Sequence, residues 1–279
     1  MDKNFAKNRK DNRRFDAHAK RRDGENRIPT DNTKDENENN YIVGRNAVLE
    51  AIRSGRQLEF VVVQKGELQG SISQIIALCK QNGIVIKEAQ AGKLSELSQG
   101  VNHQGVVAQP SAVTYSSVED ILKIAQDRGE PPFIVIADQI EDPHNLGALI
   151  RTAEACGVHG VIIPKRRSVG ANATVYKTSA GALSHMAVAR VSNLTETIKQ
   201  LKENGVWIYG ADAKGENYCN VNFDGAVALV VGSEGRGISK LVLDSCDFLV
   251  SLFMKGKVNS LNASVAGGIL MYEIARKRI

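Results

Sequence analysis

Three runs in the second half of the chain are largely apolar: FIVIADQI (133–140), VHGVIIP (158–164) and AVALVVG (226–232). A strand with one wet face alternates apolar and polar residues. A strand without that alternation is buried on both faces, which calls for a parallel sheet with helices on either side. The intervening segments fit this scheme. SVEDILKIAQDRG (117–129), NLGALIRTAEACG (145–157) and NLTETIKQLKENG (193–205) have helical periodicity, and each ends on glycine. Ser117 is a suitable N-cap for the first of them, with Asp120 in its first turn. VWIYGAD (206–212) and FLVSLFM (248–254) add two strands, with ISKLVLDSC (238–246) between the last two strands. The expected class is α/β, and ligands of such sheets bind beyond the carboxyl ends of the strands.

A smaller α/β domain is expected before it, over residues 41–112. YIVGRNAVLEAIRSG reads as an entry strand and a helix, and LEFVVVQ as a buried strand. SISQIIALCKQNG is a helix, IVIKEA a strand, AGKLSELSQ a short helix, and HQGVVAQP a strand closed by Pro110. Residues 113–117 are expected to be a linker and residues 118–279 the second domain. Residues 1–40 carry almost no large apolar side chains; their first part is basic and the last, DNTKDENENN, acidic. Such a segment buries too little surface to offset its ordering entropy, so a disordered tail is expected. It reads either as a solubilising tail or as a basic arm for phosphates.

The net charge of +5 permits a polyanionic partner without establishing one. No apolar run is long enough to span a bilayer, and the polar N-terminus does not read as a signal peptide. Cys79, Cys156, Cys219 and Cys246 form no CxxC pair, so buried free thiols in a reducing cytoplasm are expected rather than a disulfide framework or a metal site.

Three strand-to-loop junctions are rich in small and polar residues: DQIEDPHNLGALIR (138–151), GSEGRGIS (232–239) and MKGKVNSLNAS (254–264). In the first, Asn145 is either the N-cap of the following helix or a site residue. Arg151 falls opposite the face made by Leu146, Leu149, Ile150 and Ala153, so it is either solvated or turned toward a partner or substrate. The second matches neither GxGxxG nor GxxxxGK[ST], and Glu234 in its middle would repel a pyrophosphate; a neutral or cationic ligand suits it better. In the third, one of Ser260, Asn262 and Ser264 suffices to cap the last helix. Two polar side chains are then left to serve a site. There is no GxSxG element, no paired-carboxylate signature, and the histidines lack ligand spacing.

Taken together, DPHNLGALIRTAEACGV, ALVVGSEGRGIS and SLNASVAGGILMYE, in that order, resemble the SpoU/TrmH family of RNA 2′-O-methyltransferases within the SPOUT superfamily. NATVYKTSAGALSHMAVARVSNL resembles the family's segment between the first two motifs. YIVGRNAVLEAI and HQGVVA resemble the L30e-like substrate-binding domain of the subgroup that modifies 23S rRNA. The resemblance covers about residues 41–279. It implies a C-terminal trefoil knot, a homodimer with each active site near the dimer interface, S-adenosylmethionine as methyl donor, and no metal. By motif position it implies Asn145, Arg151, Glu234, Ser260 and Asn262 as catalytic. It implies a donor pocket from Gly232, Glu234, Gly235, Gly237, Leu252, Met254, Gly256, Ser260, Leu261, Asn262 and Ser264. Where the family often has Pro before the motif's methionine, this chain has Phe253.

The chemistry implied is methyl transfer to a ribose 2′-hydroxyl, with a guanosine of 23S rRNA as first choice and tRNA as alternative. Arginine scarcely deprotonates, so Arg151 reads as an electrostatic partner of the nascent alkoxide rather than as a base. Arg45, Lys165, Arg166 and Arg167 are expected to contact RNA, with a solvated loop as the alternative for the last three. A non-catalytic RNA-binding protein of the same fold and a nucleotide-binding Rossmann enzyme are the competing readings. The intact polar residues argue against the former. The missing first-strand GxGxxG argues against the latter.

Overall fold

The computed structural model describes residues 41–66, 70–258 and 260–279. All of them belong to one compact unit, Asn37–Ile279. The tail expected to be disordered lies outside the described residues.

The first sheet has four strands: β1 (Ile42–Val43), β2 (Leu58–Gln64), β3 (Val85–Ala89) and β4 (Val106–Pro110), in the order β1-β4-β2-β3. It is mixed, because β4 runs antiparallel to both β1 and β2 while β2 and β3 are parallel. Helices α1 (Arg45–Arg53) and α2 (Ser71–Gln81) cover one face. There Val48, Ile52, Ile72, Ile75 and Cys79 close over Val61, Val63 and Val106. The helix α3 (Ala91–Leu97) puts Leu94 against Val62 and Val107 on the other face.

The second sheet has six strands in the order β10-β8-β9-β5-β6-β7, all parallel. They are β5 (Phe133–Ala137), β6 (Gly160–Pro164), β7 (Val188–Val191), β8 (Trp207–Asn217), β9 (Val227–Val231) and β10 (Phe248–Ser251). The central strands β5 and β9 are buried at every position. Helices α5 (Pro143–Ala155), α6 (Ala173–Thr178) and α9 (Ala263–Arg276) pack on one face; α4 (Val118–Arg128), α7 (Leu194–Glu203) and α8 (Lys240–Leu243) pack on the other. Ser117 and Asp120 close a reciprocal capping box at the start of α4, and Gly129 ends it in the left-handed conformation at φ 68°.

Two elements differ from expectation in ways that bear on the site. First, β8 runs on to Asn217. Its pairing with β10 jumps from Gly210↔Leu249 to Glu216↔Val250, so residues 211–215 leave the ladder. Gly215 lies where a Cβ would stand 2.4 Å from the Leu249 carbonyl carbon, which explains why the strand needs glycine as it rejoins. Second, α5 begins two residues before Asn145. Pro143 takes its first turn, where the missing N–H costs nothing, and Asp142 is the N-cap, accepting from His144 N at 3.0 Å.

Residues 113–117 are pinned between the sheets. Ala112 N donates to Ala171 O (2.7 Å) and Ser116 N to Val188 O (2.8 Å). The Tyr115 hydroxyl donates to Glu59 Oε1 (2.5 Å) and accepts from Ala171 N (2.8 Å). Glu59 of β2 also pairs with Arg190 of β7 at 2.8 Å, both side chains being at least nine-tenths buried. Burial, and then the Glu59 carboxylate, hold the Tyr115 hydroxyl well above the usual phenol range. Among the described residues no helix is long and apolar enough to cross a membrane.

Candidate active site

Because Asp142 caps α5, the side chain of Asn145 is free to leave its helix. It reaches across the carboxyl ends of β5 and β9, and its Nδ2 donates to Glu234 Oε1 at 3.0 Å.

Glu234 sits on a tight loop that follows β9. Ser233 and Gly237 exchange both backbone hydrogen bonds, Ser233 N to Gly237 O at 3.1 Å and Gly237 N to Ser233 O at 2.8 Å. The loop folds back on its own base: a Cβ on Gly232 would stand 2.2 Å from the Gly237 carbonyl carbon, a backbone atom that cannot give way. The far side of the loop is held by Asp138, buried at the end of β5, whose Oδ2 accepts from Ser239 N at 2.7 Å.

The third contribution comes from the N-terminus of α9. Asn262 is its N-cap; Oδ1 accepts from Ser264 N (2.9 Å), Val265 N (3.2 Å) and Ser264 Oγ (2.6 Å). Its Nδ2 donates to Asn145 Oδ1 (2.8 Å) and also to Glu234 Oε1. Two amides thus converge on one carboxylate, fixing a negative charge at the sheet's carboxyl edge.

Beside this cluster is a cavity of about 250 Å³. Its wall holds the expected Gly232, Glu234, Gly237, Leu252, Met254, Ser260 and Leu261. It also holds Ala211, Asp212 and Ala213, carried there by the excursion of β8 and not anticipated from the sequence. Gly235 instead faces a neighbouring cavity shared with Asn145, Glu141 and Arg236, and Ser264 faces the outer side of α9. Gly256 lies on an exposed loop. Phe253, where proline was the family's habit, is exposed and stacks at 6.1 Å on Tyr218. A larger cavity, about 1270 Å³, is an open apolar groove between α5 and α9; Ser264 and Val265, which donate to Asn262 Oδ1, lie at its edge.

The model of the SpoU rRNA methylase family matches residues 132–272, and that of the RNA 2′-O ribose methyltransferase substrate-binding domain matches residues 41–116. The chain belongs to the SpoU rRNA methylase family. YacO of Bacillus subtilis (strain 168), assigned to the TrmH family of tRNA/rRNA methyltransferases, is 48% identical over 242 residues, 86% of this chain and 97% of that protein. A TrmH-family counterpart from Staphylococcus aureus (strain MSSA476) is 45% identical over the same shares of the two chains. The fold matches the SpoU methyltransferase AviRb from Streptomyces viridochromogenes in complex with AdoMet, with TM-score 0.54 and 22% identity over 85% of this chain and 90% of that one. It also matches the AdoMet-bound rRNA methyltransferase from Sinorhizobium meliloti, with TM-score 0.54 and 23% identity over 86% of this chain and 87% of that one. As a SpoU-family member, the chain is an RNA methyltransferase.

The remaining candidates of this SpoU-family chain are not gathered at the cluster. Arg151 is exposed on α5, near Ala148, Thr152 and Ala155, which line the apolar groove. Lys165, Arg166 and Arg167 follow β6 and line a cleft against the first sheet. Arg45 begins α1; its Nε donates to Gln104 O at 2.7 Å and its backbone N to Gln104 Oε1 at 3.1 Å.

Proposed function

We propose that this chain transfers a methyl group from S-adenosylmethionine to a ribose 2′-hydroxyl in RNA, with a guanosine of 23S rRNA as the target. The observation that carries the reading is the meeting of Asn145, Glu234 and Asn262, one from each of the three sequence motifs, with Glu234 also lining the cavity beside Gly232. The donor supplies an electrophilic methyl on a cationic sulfur. The cavity suits such a group. Its wall has two carboxylates, Glu234 and Asp212, which favour a cation, and apolar Val231, Leu252 and Leu270 for an aromatic base. The backbone turn at Gly232–Gly237 offers a close approach free of side chains. Met254 and Leu261, both exposed, form its rim.

The chain's own residues have three tasks. Asn145 and Asn262 hold Glu234 so that its charge faces the cavity without reorganisation during the reaction. Ser260, at the rim, offers a hydroxyl to the incoming ribose. Arg151 stabilises negative charge on the 2′-oxygen, whose proton leaves to solvent as the new O–C bond forms and the methyl–sulfur bond breaks, leaving the neutral thioether S-adenosylhomocysteine.

Arg151 reaches a site through a second copy of the chain. The groove beside it presents Val265, Ile269 and Tyr272, which are 49%, 39% and 59% exposed, on one face of α9. A homodimer buries this face and brings each Arg151 toward its partner's cluster. Sedimentation of the wild type and of Tyr272→Glu tests this: a dimer that dissociates on substitution is expected, and a monomeric wild type removes the dimer from the account. The trefoil knot belongs to the same reading. The work is cytoplasmic, where rRNA is made. Mapping 2′-O-methyl sites in rRNA and tRNA from cells with and without the protein tests the target. Loss of one rRNA site supports it, loss of a tRNA site moves the target to tRNA, and no loss removes the function.

A further inference from the structure

The first sheet and the second are separated, on the side of the candidate active site, by a cleft of about 420 Å³. Its walls carry Lys87 from β3 and Lys165, Arg166 and Arg167 from the loop after β6. Two carboxylates line it, and both are engaged: Glu59 with Arg190 at 2.8 Å, Glu141 more loosely with Arg236 at 3.8 Å. The Glu59–Arg190 pair forms a neutral floor. Gly170 lies against it so closely that a Cβ would stand 1.6 Å from Glu59 Oε2. What remains above that floor is an excess of positive charge.

Lys87 is held in place. Its Nζ sits 3.6 Å from the centroid of the Phe60 ring on the neighbouring strand β2. Shielding of the ammonium by the cleft walls, and then the Arg190 guanidinium, push its pKa below the ordinary lysine value. A cation placed against desolvation and a like charge is relieved by an incoming anion. Across the cleft, Arg167 takes the left-handed backbone conformation at φ 56°, an arrangement uncommon for a side chain of this size.

The cleft is not isolated. Glu141 borders both it and the next cavity, which contains Asn145 and Glu234; Glu234 in turn borders the donor cavity. The three therefore lie side by side, from the first sheet to the polar cluster.

We propose that this cleft is a phosphodiester site for the RNA strand that carries the target ribose, with Lys87 contacting the phosphate from the first sheet and Arg166 and Arg167 from the second. It rests on the methyl-transfer reading above. A strand whose ribose is presented at Asn145 and Glu234 continues past Glu141, and the first phosphates beyond it meet these cations. Lys87 thereby ties RNA held by the small module to the register in which the ribose is presented.

The test uses the full chain, a fluorescein-labelled oligouridylate as probe, and anisotropy titrations across a series of KCl concentrations. Lys87→Gln and Arg166→Gln should each lower the slope of log affinity against log salt by about 0.7, a loss of about fivefold near ~0.1 M salt. Lys87→Arg should keep the slope, and Lys199→Gln, on the exposed side of α7, should leave it unchanged. Melting temperature and S-adenosylmethionine binding should match the wild type throughout. In methylation of rRNA from cells lacking the protein, Lys87→Gln should raise KM more than it lowers kcat. Wild-type slope and KM in both glutamine variants would overturn the cleft site, as would polyglutamate displacing the probe as effectively as unlabelled RNA. A wild-type protein that binds the probe through Lys87 yet transfers no methyl would leave the cleft standing and overturn the proposed function, so the two failures are separable.

Discussion

Asn262 donates from Nδ2 to Asn145 Oδ1 at 2.8 Å while its own Oδ1 caps the helix it begins. One side chain thus serves stability and the polar cluster through opposite ends of the same amide. Asn262→Ser separates them. Serine still caps α9, so the melting temperature should stay near wild type, while methyl transfer should fall because the bridge to Asn145 and Glu234 is gone. Asn262→Ala should lose both, with about 1 kcal/mol of stability from the missing cap. Thermal melts and turnover of the pair decide it; full activity in Asn262→Ser would remove the bridge from the mechanism.

The glycines of the second loop are unequal. Gly232→Ala drives a Cβ into the backbone of Gly237, whereas a Cβ on Gly235 meets nothing within 4 Å. The former should open the Ser233–Gly237 turn and weaken S-adenosylmethionine binding, measured by calorimetry. Gly235→Ala should bind as the wild type does.

These contrasts show what the sequence could and could not convey. The apolar runs at 133–140 and 226–232 announced a buried parallel sheet, and small polar residues at three strand ends pointed to the candidate site. Asp138 was hidden because its partner, Ser239 N, is supplied by a loop about a hundred residues away. Ala211–Ala213 were hidden because GADAKGEN reads as a strand running out; their departure is set by the pairing jump against β10. In SLNAS one side chain both caps α9 and reaches Asn145 and Glu234, since an amide has two ends. Asn145 was ambiguous until Asp142 took the cap. β7 is short and follows a run of small residues, so periodicity gave it no signal, yet it supplies Arg190.

The buried Glu59–Arg190–Tyr115 cluster joins the two sheets. Glu59→Ala leaves a buried guanidinium without its counter-charge and should cost about 3–5 kcal/mol by chemical denaturation. Combining it with Arg190→Met should recover much of that loss. Tyr115→Phe strands the Ala171 N–H and should cost about 1–3 kcal/mol. A Glu59→Ala chain as stable as the wild type would show that the pair does not hold the sheets together.

His159 gives stability a pH dependence. It is 2% exposed; Nδ1 accepts from Phe133 N at 2.9 Å, which leaves the proton on Nε2, 3.0 Å from Glu130 Oε2. Burial lowers its pKa below the ordinary imidazole value of about 6.5, with the Glu130 hydrogen bond opposing. The unfolded chain therefore takes up the proton first as pH falls. The contribution is fully present above about pH 6.5 and declines as pH drops toward and through the folded value, by at most ~1.4 kcal/mol per pH unit. His159→Asn offers an acceptor in place of Nδ1 and does not titrate, so it should flatten this part of the stability profile. An unchanged profile in that variant would assign the dependence elsewhere.

The methyl group is expected on a ribose oxygen. A free 2′-hydroxyl is what lets alkali cleave the neighbouring phosphodiester, so a methylated ribose leaves an uncleaved dinucleotide. The direct measurement is transfer from S-adenosylmethionine labelled in its methyl group to rRNA taken from cells lacking the protein, followed by alkaline hydrolysis. The label should appear in one alkali-resistant dinucleotide with guanosine at its 5′ side, and should fall in Asn262→Ser. Label recovered in mononucleotides, as a methylated base would give, or no label with any RNA, would contradict it.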